Sequence, residues 1–321
     1  MTEKENVMKA LKGETPAWVP RFTFFPDPYA TRPMPIAGVM PMYLPFKPSP
    51  AGGFIDEFGV EYVPTTETGG AMLPKPGVFI LDDITKWRDV IKTPDLSGIN
   101  WEEVAKKALE NSKVDRAQSA LSFGGNAGFF QQLMAFMGFN DGLIALVEEP
   151  EEVKALFEYL CDYYYAVASN LIDYLKPDIY SIGDDTATAN NPFISVELFK
   201  EVIKPFHARI AKLGIERGLP IIMHDCGRCE DFIEDWRDYG VTAWNPAQVT
   251  NDLAGIKKKY GNSLVLMGCW DSQGPAGWPG APEQLVRQAV RDVIDKYGPG
   301  GGYMFLGSTY GPVGDEELAN R

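Results

Sequence analysis

Cysteine, histidine and long apolar stretches are scarce in this sequence of 321 residues. It has four cysteines and two histidines, and no apolar run approaches the roughly 18 residues that a membrane-spanning helix needs. So few cysteines cannot form a disulfide scaffold and are typical of a reducing compartment. The opening MTEKENVMKALKGE is charged and lacks the apolar segment of a secretion signal. We therefore expect a cytoplasmic protein without a membrane partner.

Basic residues and several well-known motifs are also missing. Lys and Arg number 30 against 44 Asp and Glu, a net charge of −14 that repels phosphate backbones. No Gly-x-Gly-x-x-Gly follows the first predicted strand, no Gly-x-x-x-x-Gly-Lys-Ser/Thr occurs, and FGGNAG (123–128) is better interpreted as a tight turn. No Gly-x-Ser-x-Gly occurs, and two histidines leave little room for a Ser-His-Asp triad. Nucleic-acid binding, nucleotide folds and acyl-enzyme hydrolysis are therefore disfavoured.

Short apolar runs alternate with amphipathic helices from about residue 114 onwards. The helical spacing of apolar residues is clear over 153–175 and over 285–297. Six runs are candidate strands: AQSALSF (117–123), DIYSIG (178–183), PIIMHD (220–225), VTAWN (241–245), LVLMGC (264–269) and GYMFLG (302–307). Because such strands are typical of parallel sheets buried on both faces, we predict an α/β fold, either a closed barrel or a doubly wound sheet.

The N-terminal part has a different pattern. Thr2 and Glu5 form a capping box for a first helix, which we expect to lie across the bottom of a barrel. AWVPRFTFF (17–25) has the composition of a strand, whereas segment 26–53 carries eight of the 25 prolines and is predicted to be a long loop without regular elements. No internal repeat is visible, so the whole chain, 1–321, is interpreted as one domain.

Polar residues follow the carboxyl end of every candidate strand in this region. If the strands form a barrel, these residues meet at one mouth, where barrel enzymes place their chemistry. The residues are Asn126, Asp184, Asp185, His224, Asp225, Cys226, Asn245, Gln248, Cys269, Asp271, Ser308 and Tyr310. One such residue alone is typical of a helix N-cap. Their repetition at six strand exits indicates a functional site.

Asp184 and Asp185 can hold the amide and amine edge of a ring, although one of them can equally cap the following turn. The amides of NPAQ (245–248) suit hydrogen bonding to a heterocycle or a turn. His207 lies in a predicted helix and is interpreted as a surface or packed histidine, and Cys161 as structural.

His224 and Cys226 alternate on one strand end, so both side chains point to the same side and can bind one metal ion. A catalytic zinc takes three protein ligands, and the third would come from Cys229, Cys269 or a carboxylate. The residues alone leave this choice open.

The chain resembles the uroporphyrinogen decarboxylase superfamily, and more closely its corrinoid-dependent methyltransferase branch. The segments that carry the resemblance, in the order shown by that family, are VMKALKGETPAWVP (7–20), DEFGVEY (56–62), SIGDD (181–185), NPFISVELFKEVIKPFH (191–207), PIIMHDCG (220–227), YGVTAWNPAQ (239–248) and LVLMGCWD (264–271). The resemblance implies a (β/α)8 TIM barrel with its site at the strand carboxyl ends.

Two departures separate the activities that the resemblance implies. The decarboxylase grips porphyrinogen carboxylates with an arginine-rich N-terminal segment, which here contains Arg21 alone. The methyltransferases that methylate coenzyme M are similar at His224 and Cys226, where they hold zinc, but take a third ligand from a cysteine after the last strand. Here the corresponding segment is LGSTYGP, with Ser308, and a hydroxyl is a poor zinc ligand.

The leading hypothesis is therefore a methyltransferase that moves a methyl group from methylcobalamin on a partner corrinoid protein to tetrahydrofolate, without a metal ion. A pterin amine, unlike a thiol, needs no zinc for activation. The predicted catalytic residues are His224, Asp184 and Asp185, and the predicted substrate-binding residues are Asn126, Asn245, Gln248, Asp271 and Tyr310.

Three alternatives accompany this hypothesis. The first is a zinc enzyme with ligands His224, Cys226 and Cys269 that acts on a thiol or a methyl ether. The others are a non-catalytic barrel that binds the corrinoid protein or a pterin, and a uroporphyrinogen decarboxylase. The Pro- and Met-rich loop is predicted to shape the surface where the corrinoid protein docks, and a homodimer is the assembly we consider.

Overall fold

A computed structural model of the chain describes residues 1–23, 31–65 and 71–307. Its main sheet contains seven parallel strands in the order β1-β6-β7-β8-β9-β10-β11. The strands are β1 (Ile36–Val39), β6 (Ala120–Gly124), β7 (Ile179–Gly183), β8 (Ile221–His224), β9 (Val241–Ala247), β10 (Val265–Cys269) and β11 (Tyr303–Leu306). The fold is therefore α/β and similar to a TIM barrel.

The sheet is curled around a single apolar interior. One buried cluster takes a residue from each of the seven strands: Ile36, Ala120, Ile179, Ile222, Ala243, Val265, Met267 and Met304. Val7, Ala10 and Leu11 of the first helix belong to the same cluster. Since side chains alternate along a strand, these positions fix which residues face inward. The first helix closes the amino-terminal end of the sheet, as the sequence predicts.

A smaller antiparallel sheet follows β1. Its strands, in the order β2-β3-β4-β5, are β2 (Lys47–Pro48), β3 (Phe54–Ile55), β4 (Glu61–Pro64) and β5 (Met72–Pro74). Asp56 makes the turn between β3 and β4, because its Oδ1 accepts hydrogen bonds from the amides of Phe58 (2.9 Å) and Val60 (2.8 Å).

Helices cover the outer face of the main sheet. They are α1 (Glu3–Leu11), α2 (Trp87–Val90), α3 (Trp101–Ser112), α4 (Phe129–Met137), α5 (Phe139–Glu148), α6 (Pro150–Leu175), α7 (Val196–Leu198), α8 (Lys204–Ile215), α9 (Ile233–Asp238), α10 (Leu253–Tyr260) and α11 (Glu283–Tyr297). A π-helical stretch (Phe199–Ile203) precedes α8, and short 3₁₀ turns span Ile84–Lys86, Glu230–Phe232 and Pro275–Gly277. Of the described helices, none has both the length and the apolar character needed to cross a bilayer.

The six predicted strands are confirmed as β6 to β11, and the capping box of α1 is present. The predicted strand 17–25 is observed only in part. Arg21 makes a parallel bridge with Phe305, and the amide of Phe22 donates to the Phe305 carbonyl (2.8 Å), next to β11. Residues 24 and 25 lie outside the described part of the chain.

The prediction that segment 26–53 has no regular elements is wrong. It contains β1 and β2, and β1 pairs with β6 along four residues. The physical reason is that Pro35 and Pro41 flank the apolar run IAGV without interrupting it, and proline is tolerated at a strand end.

Candidate active site

Three neighbouring strands bring the central polar residues together. The register pairs Gly183 of β7 with His224 of β8, and His224 with Asn245 of β9. His224 and Asn245 each lie two residues beyond an inward residue of their strand, Ile222 and Ala243, so both face the interior at the carboxyl ends of the strands. The predicted mouth of the sheet is thus where these side chains meet.

A short hydrogen bond fixes the state of the His224 ring. His224 Nδ1 lies 2.7 Å from Asn245 Oδ1. An amide oxygen can only accept a hydrogen bond, so Nδ1 carries the ring proton in the neutral imidazole. Asn245 is only 5% exposed and holds this arrangement from within the sheet. In that tautomer the lone pair of the ring is on the other nitrogen, Nε2.

Asp185 and Cys226 surround this lone pair. Nε2 of His224 is 3.7 Å from Asp185 Oδ1 and 3.7 Å from Cys226 Sγ. The Cys226 amide donates to Asp185 Oδ1 (2.9 Å), and Gln131 Nε2 donates to Asp185 Oδ2 (2.9 Å), so the carboxylate is held in place. In the part of the chain that the structure describes, this is the only group of three residues able to share a metal ion.

The three side chains fit zinc. Their ligand atoms lie within 4.8 Å of one another. A tetrahedral zinc with bonds of about 2.0–2.3 Å requires its ligand atoms to be roughly 3.3–3.6 Å apart, close to the separations found here. An imidazole, a thiolate and a carboxylate leave a fourth position open, and Asn245 supplies the second hydrogen bond that zinc-binding histidines generally make.

Without a metal ion, Cys226 is a thiol. Burial raises its pKa above the usual range, and the negative charge of Asp185 raises it further. It is therefore not a free nucleophile at neutral pH.

The two other cysteines considered as third ligands are placed elsewhere. Cys229 is fully buried, and its thiol donates to the carbonyls of Asp225 (3.5 Å) and Gly227 (3.6 Å). Cys269 has a φ of 59°, which interrupts the alternation of β10, and it packs with Tyr297 and Tyr303 in the core between sheet and helices. Burial raises its pKa to about 12. Among the described residues, the candidate metal ligands grouped with His224 and Cys226 include Asp185 and not Cys269.

Asp184 and Asp185 point in opposite directions. Asp184 is fully buried and accepts hydrogen bonds from the amides of Phe130 (2.8 Å) and Gln131 (3.0 Å), which are in the first turn of α4. His207, also fully buried, contributes Nε2 at 3.2 Å from Asp184 Oδ2. Burial raises the pKa of Asp184, although these hydrogen bonds oppose the shift. Asp184 thus caps α4, an earlier helix of the chain, and not the turn that follows it as predicted, and His207 is a packed histidine.

The uroporphyrinogen decarboxylase (URO-D) family matches residues 58–309, most of the chain. The chain belongs to this family. Its structure is similar to that of a methyltransferase from Methanosarcina mazei, with a TM-score of 0.64 over 99% of this chain and 96% of the other. The two sequences are 14% identical, so the similarity concerns the fold. No curated protein matches the chain.

The remaining predicted residues of this URO-D family member lie at strand exits but are engaged with the backbone. Asn126 is exposed, and its Oδ1 accepts from the Gly128 amide (3.1 Å). Gln248 Oε1 accepts from the Gly227 amide (2.5 Å), and Asp271 Oδ1 from the Gln273 (3.1 Å) and Gly274 (2.9 Å) amides. Tyr310 and Ser308 lie outside the described residues.

Sequence reasoning missed Gln131, Ser122 and Ser181. Gln131 is in α4 and contacts the site only because Asp185 reaches it. Ser122 and Ser181 face inward on β6 and β7, and their hydroxyl oxygens lie 3.0 Å apart. The two serines could have been found from the sequence, because each lies two positions beyond an inward apolar residue of its strand. Gln131 carries no such signal.

Proposed function

We propose that this URO-D family member is a methyltransferase that moves a methyl group from a methylated corrinoid protein to tetrahydrofolate, with His224 as the proton acceptor. The observation that carries the proposal is the placement of the His224 ring at the strand carboxyl ends, with Nδ1 hydrogen-bonded to Asn245 Oδ1 and Nε2 beside Asp185 and Cys226. Family membership and the fold shared with a methyltransferase support this choice.

The transfer has a simple proton balance. The nitrogen of the acceptor would form a bond to the methyl carbon and lose its proton, while the corrinoid would keep the electron pair of its former bond to that carbon. Nε2 of His224 accepts that proton, and Asp185 stabilises the resulting imidazolium from 3.7 Å. Asn245 keeps the ring oriented throughout, because its oxygen accepts the Nδ1 proton in both states. The corrinoid, held by its partner protein, supplies the methyl group.

The same proposal includes the complete barrel. We infer that the segment around Arg21 forms the eighth strand beside β11 and that 1–321 is one (β/α)8 domain.

The corrinoid protein would dock on the mouth side of the sheet. The side chains of Met40 (90% exposed) and Met42 (67% exposed) lie there, after the carboxyl end of β1. The decarboxylase alternative receives no support from Arg21, because its Nη2 donates a hydrogen bond to the Arg32 carbonyl (2.9 Å).

A second candidate keeps the corrinoid donor and adds zinc. It is favoured by the fit of Asp185, His224 and Cys226 to a three-ligand site. When bound there, zinc would lower the pKa of a thiol acceptor so that the thiolate could accept the methyl group. Asp185 and Cys226 would be ligands, and Asn245 would orient His224 as before.

One pair of measurements decides between the two candidates. Purified protein is analysed for zinc, and methyl transfer is followed by the change in cobalamin absorption with tetrahydrofolate and, separately, with a thiol as acceptor. The first candidate requires transfer that survives zinc removal and is lost in His224→Ala. About one zinc per chain, together with activity that a chelator abolishes, would establish the second. An unchanged cobalamin spectrum under all conditions would contradict both.

A further inference from the structure

The inward side chains of the sheet are no longer large and apolar two residues beyond the apolar cluster, towards the carboxyl ends of the strands. The inward residue at this height is Gly38 on β1, Ser122 on β6 and Ser181 on β7, next to His224 on β8. In barrels of this kind the interior is normally filled by large apolar side chains. Three adjacent strands here carry the smallest side chains available, so the interior is hollow beside His224.

Two glycines show this space directly. Among the described residues, no atom lies within 4 Å of a Cβ atom added to Gly38 or to Gly124. The register places Gly38 beside Ser122 and Gly124 beside Ser181, so the two open positions border the two serines. Ser181 remains partly exposed although it lies inside the curl of the sheet. Solvent therefore enters from the mouth down to the level of the serines.

The volume is adequate for a ring. A cavity of about 450 Å³ is lined by Gly38, Ser122, Gly124 and Asn126 together with Tyr164, Val167, Ala168 and Leu171 of α6; it reaches the serine pair at Ser122, and its described lining includes neither Ser181 nor His224. Pockets for small molecules commonly have volumes of about 300–1,000 Å³.

The serines also retain unused hydrogen-bonding capacity. Their hydroxyl oxygens are 3.0 Å apart, and within the described residues each hydroxyl has only the other as partner. A pair of hydroxyls has two protons and four lone pairs, of which the shared bond uses one of each. One O–H donor and several acceptor positions therefore remain for a ligand. Such a pair recognises a group with a donor and an acceptor side by side, as on the amide edge of a planar heterocycle.

We propose that Ser122 and Ser181 form the polar wall of the acceptor pocket, with Gly38 and Gly124 providing the room, and that a planar ring with an amide edge binds there next to His224. This inference rests on the proposed function, and it identifies the pterin ring of tetrahydrofolate as the bound group. It adds the two serines to Asn245, the predicted anchor of that ring, whose oxygen accepts a hydrogen bond from His224 Nδ1.

The test is a calorimetric titration of the full chain with tetrahydrofolate. Gly38→Leu fills the space and is expected to weaken binding about tenfold or more, since it forces atoms into the ring position. Ser122→Ala and Ser181→Ala should each weaken binding about 2- to 12-fold, the range for one lost hydrogen bond. Gly98→Leu is the matched control, because Gly98 is exposed and its added Cβ also meets no atom within 4 Å.

A kinetic readout separates binding from chemistry. The serine variants should raise KM for tetrahydrofolate and leave kcat nearly unchanged, because the lost bonds are present before and during the reaction. Thermal unfolding shows whether each variant folds. Wild-type protein that does not bind tetrahydrofolate, or variants that bind it as the Gly98→Leu control does, would overturn the inference. Binding that weakens as expected without any methyl transfer would support the pocket and refute the proposed function.

Discussion

Removal of the Asn245 amide is the most direct test of how the site is organised. The bond between His224 Nδ1 and Asn245 Oδ1 is 2.7 Å long and part-buried, and Asn245 itself is buried. A hydrogen bond of this kind contributes about 0.5–1.5 kcal/mol, which corresponds to a bias of about 2- to 12-fold towards the tautomer that is protonated on Nδ1. Asn245→Ala should remove that bias and slow methyl transfer, by about 10- to 100-fold if a bound metal ion depends on this second contact.

The assay is ¹⁵N NMR of the histidine side chains, which is practical because the chain has two histidines. With two histidines in the chain, and His207 fully buried, the imidazole ¹⁵N resonances can be assigned by comparison with His224→Ala. Asn251→Ala is the control, because Asn251 is a similarly buried amide at the same rim, with its Nδ2 bound to the Gly227 carbonyl (2.9 Å) and not to His224. An unchanged tautomer population in Asn245→Ala, with a rate equal to that of the control, would refute the assigned role of Asn245.

Three further predictions concern the carboxylates and the thiol. If zinc occupies the site, Cys226→Ser should lower the affinity for zinc by about 10-fold or more, measured by competition with a chelator. Equal zinc affinity in both proteins would exclude Cys226 as a ligand. Asp184→Ala should lower the free energy of unfolding by about 2–4 kcal/mol, because two amides of α4 lose their acceptor, whereas Asp184→Asn should be milder; an unchanged urea midpoint in Asp184→Ala would contradict the capping role. Burial raises the pKa of Asp225 well above its usual range, so the folded chain keeps a proton that the unfolded chain releases, and stability should fall as the pH rises from the unfolded pKa of about 4 towards the folded pKa. Asp225→Asn should flatten this dependence in urea titrations at pH 5 and pH 8, and an identical slope in the variant would show that another group is responsible.

The regular part of the fold could be predicted because its strands are apolar on both faces and its helices have clear periodicity. β1 could not be predicted in the same way. It is only four residues long, and the prolines around it dominate any estimate of local propensity. Its stability comes from pairing with β6, a contact more than eighty residues away along the chain, which local patterns do not reveal.

The candidate site was predictable at the level of strand exits but not of individual side-chain directions. His224 and Asn245 fall where the alternation of β8 and β9 places them, and Cys226, two residues beyond the end of β8, lies beside His224 as the same alternation predicts. Asp184 and Asp185 lie beyond the end of β7, where the phase of that alternation no longer has to hold, and adjacent residues there take opposite sides. Cys269 also departs from the alternation of its strand, β10. Gly268 has a φ of 142° and Cys269 a φ of 59°, and these backbone angles are not those of a regular strand.

Both aspartates at the end of β7 bind the first turn of α4, Asp184 through backbone amides and Asp185 through the side chain of Gln131. The first turn of α4 therefore contacts both a buried residue of the fold, Asp184, and a residue of the candidate site, Asp185. A small rotation of α4, for example through altered packing of its apolar outer face, would move the Asp185 carboxylate relative to His224.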